Sequence, residues 1–301
     1  MTDTVLVTGI SGFIAKHVAL ALLNAGYRVR GTIRDIARAD NVKQTLSKHG
    51  GDIDRLTIFQ ADLEDDNGWK EAVDGCAYIQ HVASPFPITV PNDRESLVPA
   101  AKDGALRVIE TSLAAGVRRI VMTSSMVAMM YRPDRPAVLE VNENDWTDPE
   151  WPPISAYIVS KTRAEQAVWD RVNGDDRERL CMINPGFVLG PALDGKLSTS
   201  LEVIRLMLAG AYPALPPISF PIVDVRDLAA IHLAAMTSEN VAGRRLLAAG
   251  ETVSMRDIAA IIREALPAHA KKVPQRELPV FLVRFIALFD RQLRSVVNDL
   301  G

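Results

Sequence analysis

A chain of 301 residues, 48% hydrophobic and 24% charged, has the make-up of a water-soluble protein with a sizeable core, one large α/β domain or two smaller ones. Its net charge of −3 supplies neither a basic stripe nor an acidic tail, which argues against a nucleic-acid partner. Two distant cysteines in apolar surroundings, Cys76 and Cys181, read as buried thiols, and five histidines without ligand spacing give no metal site.

The chain opens directly on an apolar strand-like run, residues 4–8 (TVLVT), with no basic leader before it. A helix is predicted over 13–25, closed by Gly26, then a strand over 27–33 and another over 55–60 (RLTIFQ). A fourth strand follows at 76–82, a helix at 94–115 closed by Gly116, and a fifth strand at 119–123 (RIVMT). The helix 155–173 leads to a strand at 180–184. Strands alternating with helices imply right-handed crossovers and a doubly wound parallel sheet of the Rossmann type, here over residues 1–185. Prolines cluster in AYPALPPISFP (211–221), which disfavours a long helical crossover there. Helices at 225–237 and 254–265, with a strand at 244–247 between them, assign 186–301 to a smaller substrate-binding lobe interleaved with the first. The last stretch, 279–300, reads as helical. Its apolar part is interrupted by Arg284 and is too short to span a bilayer, so a cytoplasmic enzyme is expected.

VTGISGFIA sets Gly9, Gly12 and Ala15 at the turn between the first strand and the first helix. Gly9 permits a tight turn, Gly12 lets the backbone approach a pyrophosphate, and Ala15 lets helix pack on strand. The helix N-terminus then offers amides and a positive dipole end to phosphate. A site for NAD normally closes its second strand with an acid that grips the ribose 2′-hydroxyl. Here Ile33 stands in that place and Arg34 follows, a guanidinium suited to the 2′-phosphate of NADP(H). Asp62 and Leu63 are placed to meet an adenine edge, although Asp62 serves equally well as an N-cap for a helix over 64–73.

In SAYIVSK, Tyr157 and Lys161 stand at i and i+4 and share one helix face. A fixed ammonium, with the charge of an oxidised nicotinamide, is expected to depress the phenol by about 2–3 units, into the range for proton transfer to a carbonyl oxygen. Thr123, Ser124 and Ser125 end the fifth strand at the sheet edge where ligands bind. One serine there is placed to donate to the substrate oxygen; the neighbouring hydroxyls cap the strand or touch the cofactor.

Together these segments resemble the extended short-chain dehydrogenase/reductases of the NAD-dependent epimerase/dehydratase superfamily. They are most similar to the dihydroflavonol reductase, cinnamoyl-CoA reductase and carbonyl reductase branch. The likeness runs in order through VTGISGFIAKHV, GYRVRGTIRD, HVASPF, RIVMTSSMVA, AYIVSKTRAEQAVW, NPGFVLGP and FPIVDVRDLAAIHLAAM. It implies Ser125, Tyr157 and Lys161 as the catalytic set. It also implies cofactor contacts from Ser11, Phe13 and Ile14 at the turn, from Val82, Ala83 and Ser84, from Thr123 and Ser124, and from Pro185, Phe187 and Val188 beside the nicotinamide. Three features depart from the family pattern: Ala15 at the third glycine, Arg107 where many relatives carry asparagine, and an end at Gly301 where relatives usually run on. The second puts a water relay through residue 107 in question, and the third leaves a C-terminally incomplete lobe as an open expectation.

Resemblance and chemistry together imply NADPH-dependent reduction of ketones or aldehydes, by a monomer or homodimer. Phe86, Met126, Met129, Phe187 and Leu206 are candidate walls for an apolar or aromatic carbonyl substrate, with core packing as the alternative at each. The competing expectations are a sugar-nucleotide epimerase or dehydratase with tightly held NAD, alcohol oxidation of the hydroxysteroid dehydrogenase kind, and a non-enzymatic dinucleotide sensor.

Overall fold

The computed structural model describes residues 2–85, 91, 93–136, 138–288, 297 and 300. Seven parallel strands form the main sheet: β1 (Thr4–Val7), β2 (Arg28–Ile33), β3 (Leu56–Gln60), β4 (Tyr78–His81), β5 (Arg119–Thr123), β6 (Leu180–Pro185) and, from beyond a separate small sheet, Arg245–Ala248. In space they run β3-β2-β1-β4-β5-β6 and then Arg245–Ala248. The order reverses beside β1, which opens a crevice at the carboxyl ends of β1 and β4.

Strand periodicity explains the layers. On β1, Val5 and Val7 join the core on one face while Leu6 joins the other; Val121 and Cys181 oppose Ile120 and Met182 in the same way. Helices Phe13–Asn24 and Val225–Thr237 cover the first face, and helices Val98–Ala114 and Ala156–Arg171 the second. Both cysteines are buried and free, and burial pushes their thiols up, to about 11 for Cys76 and about 12 for Cys181.

The small sheet contains β7 (Phe187–Leu189), parallel to β8 (Ser219–Asp224). Counting Arg245–Ala248 as β9, the chain then gives β10 (Thr252–Ser254), antiparallel to β8. A separate core of Met207, Leu215, Ile218, Met255, Ile258 and Val273 lies beneath it. Between these parts the chain returns to the main sheet, since helix Val225–Thr237 packs on Phe13–Asn24 and β9 pairs with β6. Among the described residues no helix is long and apolar enough to cross a membrane.

Candidate active site

Because the main strands are parallel, the residues that follow their carboxyl ends collect on one edge. After β1 the chain turns at Gly9, whose φ of +63° lies in the left-handed region; a Cβ there would sit 3.0 Å from the Cβ of Ala83. The turn is held by Gly12 N–H donating to the Gly9 carbonyl at 2.8 Å, and Gly9 N–H donates to Thr32 Oγ1 at 3.1 Å. Gly12 is the extended N-cap of helix Phe13–Asn24, which has neither a side-chain cap nor an acid in its first turn. Ser11, Phe13 and Ile14 are half-buried around it, and Ala15 is buried against the sheet. These open amides at a helix N-terminus, beside backbone that a side chain would block, fit a dinucleotide pyrophosphate.

Thr8 links this turn to the next loop. Its Oγ1 accepts the N–H groups of Val82 and Ala83 at 3.1 and 3.0 Å and lies 2.9 Å from His81 Nδ1. The hydroxyl proton therefore points at Nδ1, which fixes the tautomer of His81. Val82, Ala83 and Ser84 are half-buried along the crevice; Phe86 lies outside the described residues.

Ile33 is buried at the end of β2 and Arg34 is exposed. A cavity of about 500 Å³ lies beside Arg34, bordered by Gln60, Asp62, Glu64 and Asp65. The expected helix over 64–73 begins only at Trp69. Asp62 and Asp65 instead accept from the N–H groups two residues on, at 3.2 and 3.0 Å, and Gly68 (φ +82°) starts the helix. Asp62 is therefore not that helix's N-cap. Leu63 offers its carbonyl to Arg107, which also pairs with Asp66, so Arg107 is spent holding this loop.

Ser155 caps the helix Ala156–Arg171 by accepting from the Ile158 N–H at 3.4 Å, and one turn of the helix separates Tyr157 from Lys161. The Ser125 hydroxyl is the one that acts on the Tyr157 phenol, since Ser124 is bonded to Glu165. In the protein alone burial raises the phenol above its ordinary value, and the Ser125 hydroxyl only partly opposes this. The lysine itself is pushed down to about 8 by burial, against the opposing pull of Glu165. A small cavity of about 10 Å³ lies against Lys161, with His81, Ala83, Ser84, Thr123 and Ser124 also on its wall.

Ser124 turns away from the cleft and donates to the buried carboxylate of Glu165 at 2.5 Å. Thr123 lies 3.1 Å from His232 Nε2 beneath the sheet edge. Neither side chain faces the crevice freely, which leaves the cofactor role expected of them to their backbone or their borders on the small cavity. Glu165, Asn184 and Arg245 were not anticipated. The i, i+4, i+8 spacing of Tyr157, Lys161 and Glu165 carried a signal for the first of them.

Pro185 and Val188 are buried at the end of β6 and in β7, and half-buried Phe187 stacks on Phe220 with ring centroids 4.5 Å apart. Met126 is buried beside Ser125, and Leu206 is half-buried on helix Thr199–Ala209. Met129 has no exposed surface and packs as core, so it offers a substrate no contact in this conformation. Among the described residues no group of His, Cys, Asp and Glu is placed to hold a metal ion.

The sequence profile of the NAD dependent epimerase/dehydratase family matches residues 5–249. Cinnamoyl-CoA reductase 1 of Arabidopsis thaliana is 35% identical over 279 residues, which are 92% of this chain and 76% of the relative. Of solved structures, yeast methylglyoxal/isovaleraldehyde reductase Gre2 complexed with NADPH is similar at a TM-score of 0.79 and 25% identity, covering 90% of this chain and 85% of that one. The NADPH complex of Gre2 from Candida albicans is similar at 0.79 and 29% identity, with the same coverage of 90% and 85%.

Proposed function

The chain belongs to the NAD dependent epimerase/dehydratase family, and from that premise we propose that it reduces ketones or aldehydes with NADPH, Tyr157 delivering the proton. Reductases among its relatives, including NADPH complexes, support the reaction and the cofactor. The observation that carries the site is the placement of the Ser125 hydroxyl against the Tyr157 phenol, one helical turn from Lys161 at the carboxyl edge of the sheet.

NADPH, when bound, supplies the hydride. The turn at Gly9–Gly12 holds its pyrophosphate, and Arg34 the 2′-phosphate at the 500 Å³ cavity. Ser125 donates to the substrate oxygen and sets its position, and Tyr157 gives up its phenolic proton to the same oxygen as negative charge develops there. A raised phenol suits this direction, because the donor must be protonated before the step. The Lys161 ammonium then favours the phenolate that remains and anchors the ribose. Phe187, Met126 and Leu206 are the proposed walls for an apolar or aromatic carbonyl compound, handled by a cytoplasmic monomer or homodimer in two interleaved portions, 1–185 and 186–301.

Tyr157→Phe removes only the proton donor. It is expected to bind NADPH within about threefold of the parent while kcat falls by about 10²–10⁴. Consumption of NADPH with an aromatic ketone, followed at 340 nm, measures this, and parental turnover would refute the assignment.

A further inference from the structure

The helix that carries Tyr157 and Lys161 has a third ionisable group on that side, one more turn along. Glu165 is wholly buried, and both its oxygens are taken. Oε1 accepts from Arg245 Nε at 2.6 Å and from the Trp169 indole at 3.4 Å. Oε2 accepts the Ser124 hydroxyl at 2.5 Å and the Asn184 amide at 2.8 Å. Asn184 Nδ2 also donates to the Ser125 carbonyl at 3.1 Å. Both of its acceptors lack hydrogens, so only one orientation of the amide satisfies them. Arg245, 8% exposed, comes from β9, stacks over Trp146 at 3.7 Å and donates to the Asp145 carbonyl at 2.5 Å. The ends of β5 and β6, the Tyr-Lys helix and β9 thus converge on one carboxylate.

A buried ion pair is a poor way to stabilise a fold, since apolar residues of similar volume generally do as well or better. What apolar residues lack is the ability to orient a hydroxyl and an amide, or to set a negative charge one turn from a half-buried ammonium. We propose that Glu165 and Arg245 are positioning residues for proton delivery: through Ser124 and Asn184 they fix the Ser124–Ser125 main chain, and Glu165 supplies the negative charge that Lys161 faces within the protein. The inference rests on the assignment of Tyr157, Ser125 and Lys161 made above.

The charges around Lys161 make the electrostatic part testable. On its own helix Tyr157 and Glu165 stand one turn to either side, and Glu165 acts on it; from β4 it faces His81, which burial keeps neutral; helix Val98–Ala114 contributes Ala101 and Ala105 to the cavity beside it. Arg245 stands behind Glu165. Burial already holds Lys161 at about 8, and Glu165 opposes that fall. Neutralising Glu165 while Arg245 stays charged therefore makes the ammonium lose its proton at a lower pH.

The test uses E165Q and, because an unpaired buried Arg245 threatens folding, the doubly apolar E165M/R245M of similar volume. In E165Q, kcat is expected to fall about 10- to 100-fold, with its alkaline decline displaced to lower pH, while KM and the NADPH Kd stay within about threefold. E165M/R245M is expected to keep a parental thermal midpoint and still lose about tenfold or more in kcat, as a purely structural pair would not. Parental kcat in either folded variant overturns the proposal. So does an unmoved alkaline limb in E165Q, or a loss of kcat matched by an equal loss of NADPH affinity. Tyr157→Phe, assayed alongside, separates the two readings. An inert Tyr157→Phe beside a fully active E165Q removes this inference alone, whereas an active Tyr157→Phe removes the assignment beneath it.

Discussion

Arg34 follows the end of β2 with its side chain exposed, beside a cavity that Asp62, Glu64 and Asp65 also border. In that acidic rim it is the group suited to a dianion, while buried Ile33 gives a ribose 2′-hydroxyl nothing to bind. Arg34→Glu is expected to weaken NADPH by about 1.5–3 kcal/mol, about 10- to 150-fold in Kd, and to leave NADH nearly unchanged. Paired calorimetric titrations decide it, and equal losses for both cofactors would remove Arg34 from the site. At this scale the sequence discloses what spacing along one helix or one strand end discloses: Tyr157, Lys161 and the serine pair. Spacing alone does not choose between Ser124 and Ser125; the family resemblance points to Ser125, and in the structure Glu165 claims Ser124. Arg245 is legible only once β9 pairs with β6, since 80 residues separate it from the carboxylate it meets.

Elements whose limits are set locally were readable almost to the residue. The strand Arg119–Thr123 and the helix Val225–Thr237 match their expected spans, the latter capped by Asp224 accepting from the Arg226 N–H at 2.8 Å. The helix expected over 94–115 starts at Val98, with a proline in its first turn where a missing N–H costs nothing. Helix Thr199–Ala209 was missed although Ser198 caps it and Gly210 (φ +74°) ends it; the prolines that follow dominated the reading of that stretch. The Tyr-Lys helix offers the sharpest test at this scale. Its Ser155 cap is long at 3.4 Å, so Ser155→Ala is expected to cost about 0.5–1 kcal/mol, the low end for a cap, and to lower Tm by about 1–4 °C. NADPH affinity should stay within about twofold, because Ser155 lies outside the helix and Lys161 stands a full turn inside it. A scanning-calorimetry Tm equal to the parent's would mean that the hydroxyl caps nothing.

The molecule as a whole is assembled across its sheet by a few buried polar ties, and one of them makes stability depend on pH. His232, wholly buried on helix Val225–Thr237, donates from Nδ1 to Gln80 Oε1 at 2.7 Å, and its Nε2 lies 3.1 Å from the Thr123 hydroxyl. Gln80 in turn donates to the His232 carbonyl at 3.0 Å, so β4, β5 and the helix close on a neutral imidazole. Burial pushes His232 down to about 3. Between pH 6.5 and 3 the unfolded chain therefore carries a proton on this ring that the folded chain does not, and stability falls as pH falls. From pH 7 to pH 5 the loss from this one group is on the order of 2 kcal/mol. His81, held down to about 3 by burial and by Lys161, adds a loss of the same sign. His232→Gln is expected to cost stability at pH 7 by breaking the tie. Its further loss between pH 7 and pH 5, read from urea midpoints at both values, should be smaller than the parent's by about 2 kcal/mol. A parental pH dependence in His232→Gln would mean that this imidazole is not kept neutral by its place between the helix and the sheet, and that the acid sensitivity arises elsewhere.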